Sequence, residues 1–315
     1  MLKVDNISFN YTEEADVLKN ISFQLSRGEF LAVVGESGCG KSTLLEIIYG
    51  LLHVEEGHVY WDDVKLLGPN YYLIPGEYFM KYLPQDYNLM PYITVEENVG
   101  KHISYRDPNR KKRIEELLEV VDMPSFIKTK VSMLSEGQKQ RVALAKVLAQ
   151  EPEVLLLDEP FSHIDNFRKH HLRRNIFKYL KEKNITCIVA THDANDALSF
   201  ADEILIIRHG DAIAYDTPEQ IYKHPKNKYI GSLFNEINEL PKEIFGFSNS
   251  ENDTALLYPS QIKIVSQSDI KAMVISSYFV GEYYLLELNC QEQKLFVNSD
   301  KYYKPDSSLY LAIEK

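Results

Sequence analysis

Gly35-Glu36-Ser37-Gly38-Cys39-Gly40-Lys41-Ser42-Thr43 lies between an apolar run, Phe30 to Val34, and a helix-like run, Leu44 to Leu52. The order strand, glycine-rich loop, helix makes a phosphate cradle. The stretch fits G-x-x-x-x-G-K-[ST], in which backbone N–H groups wrap phosphates, the Lys reaches the outer phosphates and the next hydroxyl, here Ser42, ligates magnesium. Glycines keep side chains out of the backbone's path to the anion. A helix starting near Lys41 adds its unpaired N–H groups and positive dipole end.

That loop leaves the class open, because kinases, GTPases, helicases and transport ATPases share it. A second block narrows it. Val154-Leu155-Leu156-Leu157-Asp158-Glu159-Pro160 is a continuous apolar run, as a strand buried on both faces needs, ending in two carboxylates. In open parallel sheets ligands sit off the carboxyl ends of the strands, where Asp158 and Glu159 emerge. Asp158 is placed to offer magnesium a hard oxygen, directly or through water. Glu159 is placed to orient or deprotonate an attacking water.

Just upstream, Leu134-Ser135-Glu136-Gly137-Gln138 runs into Lys139-Gln140-Arg141-Val142-Ala143-Leu144-Ala145. Ser135 reads as an N-cap and the rest as a helix, so its N-terminus is a second anion site with no evident phosphate in the same chain. Together these blocks resemble the nucleotide-binding subunit of ATP-binding cassette (ABC) proteins, whose signature is LSGGQ. The resemblance implies an ATPase that uses ATP and Mg2+. It also implies that Ser135, Gly137 and Gln138 of one subunit cover the phosphate loop of a second copy, sandwiching two ATP molecules. Tyr11 holds the place of the aromatic that stacks on adenine. Gln85, in Leu83-Pro84-Gln85-Asp86, matches the glutamine that touches magnesium beside Ser42 and Asp158. His192, after the buried-strand pattern Thr186-Cys187-Ile188-Val189-Ala190-Thr191, resembles the switch histidine on the γ-phosphate, a partner to the catalytic Glu159. Asp165 falls where an aspartate reaches across the dimer. Glu136 departs from the family by replacing the first signature glycine, and its carboxylate is expected to turn outward.

Composition excludes several classes. The 315-residue chain is too long for one small domain, and 44% hydrophobic residues supply ample core. A net charge of −11 argues against a nucleic-acid surface. Three cysteines, Cys39, Cys187 and Cys290, show neither metal spacing nor a disulfide framework. Arg110-Lys111-Lys112-Arg113 reads as the solvated start of a helix from Ile114 to Val121. No segment approaches the roughly 18 apolar residues of a membrane span, and no signal-peptide pattern opens the chain.

The expected fold is α/β: a P-loop NTPase core, RecA-like, with an antiparallel β lobe and a helical subdomain at about residues 86–150, spanning residues 1–235. Residues 236–253, rich in Pro, Gly, Ser and Asn, read as a linker. Residues 254–315 hold short β-type runs and read as a small β-barrel. Leu257-Tyr258-Pro259-Ser260-Gln261-Ile262 and Tyr278-Phe279-Val280-Gly281-Glu282 resemble the TOBE domain of importer ATPases, and Tyr222-Lys223-His224-Pro225 resembles the tail of such subunits. What this implies is a peripheral subunit on the cytoplasmic face of the cell (inner) membrane, a homodimer with separate membrane-spanning permease chains and a substrate-binding protein. Tyr87 to Val99 resembles the ferric-iron and polyamine branch most, with sugars, sulfate and molybdate also open. An exporter subunit and a soluble ABC ATPase of translation or DNA repair are the alternatives.

Overall fold

The computed structural model describes residues 1–12, 16–245 and 254–313. They form two compact units, Met1–Pro218 and Glu219–Lys315.

In the first unit, β1 (Leu2–Asn10), β2 (Asp16–Leu25) and β3 (Phe30–Val34) precede α1 (Lys41–Tyr49). Then come β4 (Glu56–Trp61), β5 (Val64–Leu66), β6 (Met80–Leu83), α2 (Val95–Val99), α3 (Arg110–Val120) and α4 (Glu136–Leu148). The unit continues with β7 (Val154–Asp158), α5 (Asn166–Glu182), β8 (Thr186–Thr191), α6 (Ala194–Phe200), β9 (Glu203–Arg208) and β10 (Asp211–Asp216). Ten strands join in one sheet, in the order β5-β4-β1-β2-β10-β9-β3-β8-β7-β6. β9, β3, β8, β7 and β6 run parallel, and β1, β2, β4 and β5 form the antiparallel lobe.

Every residue of β3, β7 and β8 is buried, which is why β3 and the middles of β7 and β8 read as apolar runs. β1 and β2 alternate inward and outward, because one face of the lobe meets solvent. α1 stops at Tyr49, short of the expected Leu52: Gly50 adopts φ 84° and its N–H returns to the Glu46 and Ile47 carbonyls. α2 to α4 bury Val95, Val99, Ile114, Leu117, Leu118, Val142 and Leu144 in one core with β7 and α5. α3 starts at Arg110, not Ile114. The basic run is only partly solvated: Arg110 Nη2 donates to the Gly100 carbonyl at 3.1 Å and Arg113 is half-buried, leaving Lys111 and Lys112 in water.

The second unit holds α7 (Pro218–Lys223, whose first residue closes the first unit), α8 (Lys228–Ser232), β11 (Asn238–Pro241), β12 (Thr254–Leu257), β13 (Ile262–Val265), β14 (Ile270–Phe279), β15 (Tyr284–Cys290), β16 (Gln293–Ser299) and β17 (Ser308–Ile313). The last five form an antiparallel sheet, β13-β17-β14-β15-β16, over a core of Leu286, Leu288, Leu295, Val297 and Leu311, the expected small β domain. Its unit begins before residue 235 because α7 and α8 pack on it: Tyr222 stacks on Tyr258 at 4.5 Å. The stretch read as a linker is ordered at its start, since β11 pairs with β12 and Asn238 trades two hydrogen bonds with Phe296. The remainder, residues 246–253, lies outside the described residues.

Candidate nucleotide site

The carboxyl ends of β3, β7 and β8 deliver the site. Beyond β3 the chain turns through residues 35–40 into α1, whose first residue is Lys41. At Gly40 a side chain is excluded twice over: φ is 106°, and a Cβ would lie 2.8 Å from the Val17 carbonyl oxygen. Gly38 has open space around it, so there the left-handed φ of 80° alone calls for glycine. Clearance for the anion is therefore only part of the reason for glycine in this loop. Glu36, Ser37 and Gly38 are exposed, while Gly35, Cys39 and Gly40 are buried. Lys41 is buried with its ammonium inside the loop, donating to the carbonyls of Gly35 and Glu36, each at 2.8 Å. Burial raises the Cys39 thiol above its ordinary pKa, so it sits there as a small protonated side chain rather than a thiolate. Tyr11, exposed and edge-on to Phe9, places its hydroxyl 3.2 Å from Thr43 Oγ1.

Asp158 closes β7, 4% exposed. Its Oδ1 is buried without a hydrogen-bond partner, and Tyr82 donates to Oδ2 at 3.4 Å. Burial raises this carboxyl's pKa, while the Ser42 hydroxyl and the Lys41 charge draw it back. A desolvated carboxylate oxygen beside a serine hydroxyl fits a hard cation, and Ser42 and Asp158 would hold Mg2+ there. Gln85 lies exposed two residues past the end of β6.

Glu159 turns off β7 at φ 47°, a conformation few non-glycine residues adopt. Two contacts hold the turn: the Glu159 N–H donates to the Ala190 carbonyl at 2.9 Å, and Gln140 Nε2 donates to the Glu159 carbonyl at 2.9 Å. The side chain thereby comes to His192, whose Nδ1 is 3.0 Å from Glu159 Oε1.

Ser135 caps α4 as expected. Its Oγ accepts from the Gln138 N–H at 3.4 Å and its own N–H donates to Gln138 Oε1 at 2.9 Å, a capping box. Glu136 is exposed and bends along the helix to Lys139, 2.7 Å away. A Cβ on Gly137 would meet the His163 carbonyl oxygen at 2.5 Å, so this glycine lets α4 press on the loop after β7. Asp165 is exposed at the N-terminus of α5.

The phosphate loop, Tyr11, Asp158, Glu159 and His192 thus gather at one end of the sheet, and the Ser135 helix end faces outward. Sequence reasoning missed Gln140, a buried amide that ties α4 to Glu159 and, through Oε1, to the His163 N–H at 3.2 Å. It also missed Lys169 and Arg173, which grip Asp193 beside His192.

The sequence matches the ABC transporter family over residues 18–162. It is 32% identical over 311 residues to the spermidine/putrescine import ATP-binding protein of Clostridioides difficile (strain 630), covering 92% of this chain and 88% of that one. It is 31% identical over 282 residues to the Fe(3+) ions import ATP-binding protein of Haemophilus influenzae (strain 86-028NP), covering 89% and 80%. A dimeric ATP-binding cassette solved in a post-hydrolysis state with ADP and Pi superposes with a TM-score of 0.61 at 31% identity, over 69% of this chain and 99% of that one. The chain belongs to the ABC transporter family and is one of its ATP-hydrolysing cassettes.

Proposed function

We propose that this subunit energises an ABC importer by ATP-driven closure of a homodimer, in which the Ser135 helix of one copy covers the phosphate loop of the other. The observation that carries the reading is the Glu159–His192 contact at the carboxyl ends of β7 and β8, together with a capped helix end whose Ser135 and Glu136 are exposed. In-line attack of water on the γ-phosphate needs positioning and charge neutralisation more than covalent chemistry. With ATP bound, Lys41 exchanges its loop carbonyls for β- and γ-phosphate oxygens. Glu159 accepts a proton from the attacking water, and His192 moves from Glu159 to the γ-phosphate. Mg2+, held by Ser42 and Asp158 with Gln85, would offset charge on the phosphate oxygens. The second copy's Ser135, Gly137 and Gln138 supply the α4 N-terminus to the same γ-phosphate, Asp165 reaches across the interface, and Tyr11 stacks on adenine.

Among the described residues no helix is long and apolar enough to cross a membrane. In the proposed importer, separate permease chains span the membrane and this subunit sits peripherally on the cytoplasmic side. The importer reading draws on the polyamine and ferric-ion import relatives and on the small β domain. It makes a polyamine or ferric iron the cargo and adds a substrate-binding protein. Affinity purification from membranes should bring down a membrane-spanning pair; ribosomes or DNA instead would overturn the transport reading.

The test of the site is Glu159→Gln. This change keeps the shape of Glu159 and removes the base, so the variant should bind ATP, lose at least 100-fold in hydrolysis, about 2.7 kcal/mol of barrier, and accumulate as a dimer. Gel filtration with ATP and Mg2+ reads it. A variant that stays monomeric under those conditions overturns the sandwich.

A further inference from the structure

His192 is 64% exposed, yet the residues that flank it are pinned. Thr191, the last residue of β8, is buried; its Oγ1 accepts from the Asp193 N–H at 3.0 Å and donates to Asp196 Oδ2 at 3.2 Å. Asp193 receives two cations from α5, Lys169 and Arg173, and Arg173 also pairs with Asp196. Lys169 and Arg173 stand one turn apart on one face of the helix, so a single carboxylate meets both. Arg173 is 1% exposed, the most buried cation among the described residues. Burial by itself would raise the Asp193 carboxyl, but the Lys169 hydrogen bond and the Arg173 charge outweigh it and hold the pKa below the usual carboxylate range.

Buried ion pairs of this kind add little net stability over apolar packing, because desolvation cancels most of the attraction; fixing one arrangement is their best-attested use. Here the arrangement fixed is the backbone on either side of His192. We propose that Asp193, gripped by Lys169 and Arg173, is a positioning residue that sets where His192 stands between Glu159 and the γ-phosphate. The inference rests on the role given to His192 above. α5 starts directly after Asp165, so the same helix that holds the histidine turn is also anchored at the segment expected to cross the dimer. A displacement of about 1 Å at a catalytic group is enough to cost a large factor in rate without changing substrate binding.

The experiment is a double-mutant cycle on the full chain, reading kcat and KM for ATP with Mg2+ in Asp193→Asn, His192→Ala and the pair together. Asp193→Asn preserves shape and removes the charge that Lys169 and Arg173 hold. We expect it to lower kcat about tenfold with KM within about twofold, and to cost nothing further once His192 is Ala. Equal losses in both backgrounds, or a change confined to KM, overturn the positioning role while leaving the histidine's own role intact. Full activity in His192→Ala overturns the histidine reading and the inference with it. Arg173→Lys, which keeps a cation at the same place, should retain more kcat than Arg173→Met, and equal loss in both again counts against the inference.

Discussion

Glu136 takes the place of a signature glycine, and its carboxylate answers to local chemistry. The free N–H groups of the first turn of α4 favour a negative charge, and Lys139, one turn on, draws the side chain along the helix rather than across its end. Ser135 is still exposed and Gly137 still adds no side chain, so the helix end keeps what a phosphate needs. Glu136→Gly should therefore leave the ATPase rate within about threefold. A rise of tenfold or more, roughly 1.4 kcal/mol of barrier, would mean that the carboxylate repels the γ-phosphate in the closed dimer. Glu159 is the opposite case, a residue whose backbone is unfavourable by itself. At φ 47° it holds a conformation that costs on the order of 1 kcal/mol, and the surrounding contacts with Ala190 and Gln140 keep it there. The motif located this residue but not that turn, because the two groups that maintain it lie 19 and 31 positions away in sequence.

At the scale of elements, α5 shows how a buried charge cluster trades stability for placement. Its Arg173 faces two carboxylates, Asp193 in the turn after β8 and Asp196 in the first turn of α6. Removing that cation leaves Asp196 buried and unpaired, whereas Asp193 keeps Lys169. Breaking one partner out of a buried pair costs about 3 kcal/mol, so Arg173→Met should lower unfolding stability by roughly that amount at pH 8. The pH dependence has a definite sign. Burial pushes Asp196 up to about 6 from an ordinary 3.8, and loss of Arg173 pushes it further. A carboxyl raised in the folded state favours folding most when protonated, and that contribution fades as pH climbs through the folded pKa. The deficit of Arg173→Met should shrink at pH 5 relative to pH 8 in urea denaturation; an equal deficit at both would show that Asp196 bears no charge in the native protein. Neither Arg173 nor Gln140 was legible from sequence. On a helix a charged or amide side chain reads as a solvent face unless its partners are known, and these partners come from other elements. β3, β7 and β8 were legible for the converse reason, since burial on both faces leaves their middles apolar and confines polar residues such as Asp158, Thr186 and Thr191 to the strand ends. β11 was hidden because four residues ending in Pro241 carry little periodicity until β12 pairs with them.

At the scale of the molecule, the phosphate loop and the Ser135 helix end belong to one chain but are proposed to work on different ATP molecules. That separation is testable without any structure of the dimer. Lys41→Ala disables the loop and leaves the signature; Ser135→Arg fills the signature end and leaves the loop. If each active site is composite, either protein alone is inactive in every dimer it forms, since both sites then lack the same half. In a mixture, two-fold pairing gives a heterodimer in which one site has lost both halves and the other is whole. Half of randomly formed dimers are of that kind, with one working site of two, so an equimolar mixture should recover about a quarter of wild-type ATPase activity. Recovery requires only that the subunits exchange, as the proposed ATP-driven closure and its reversal would allow. A site complete within one chain predicts instead that the mixture is as inactive as its components. Activity no greater than the sum of the separate proteins, measured after premixing without nucleotide, would refute the composite site.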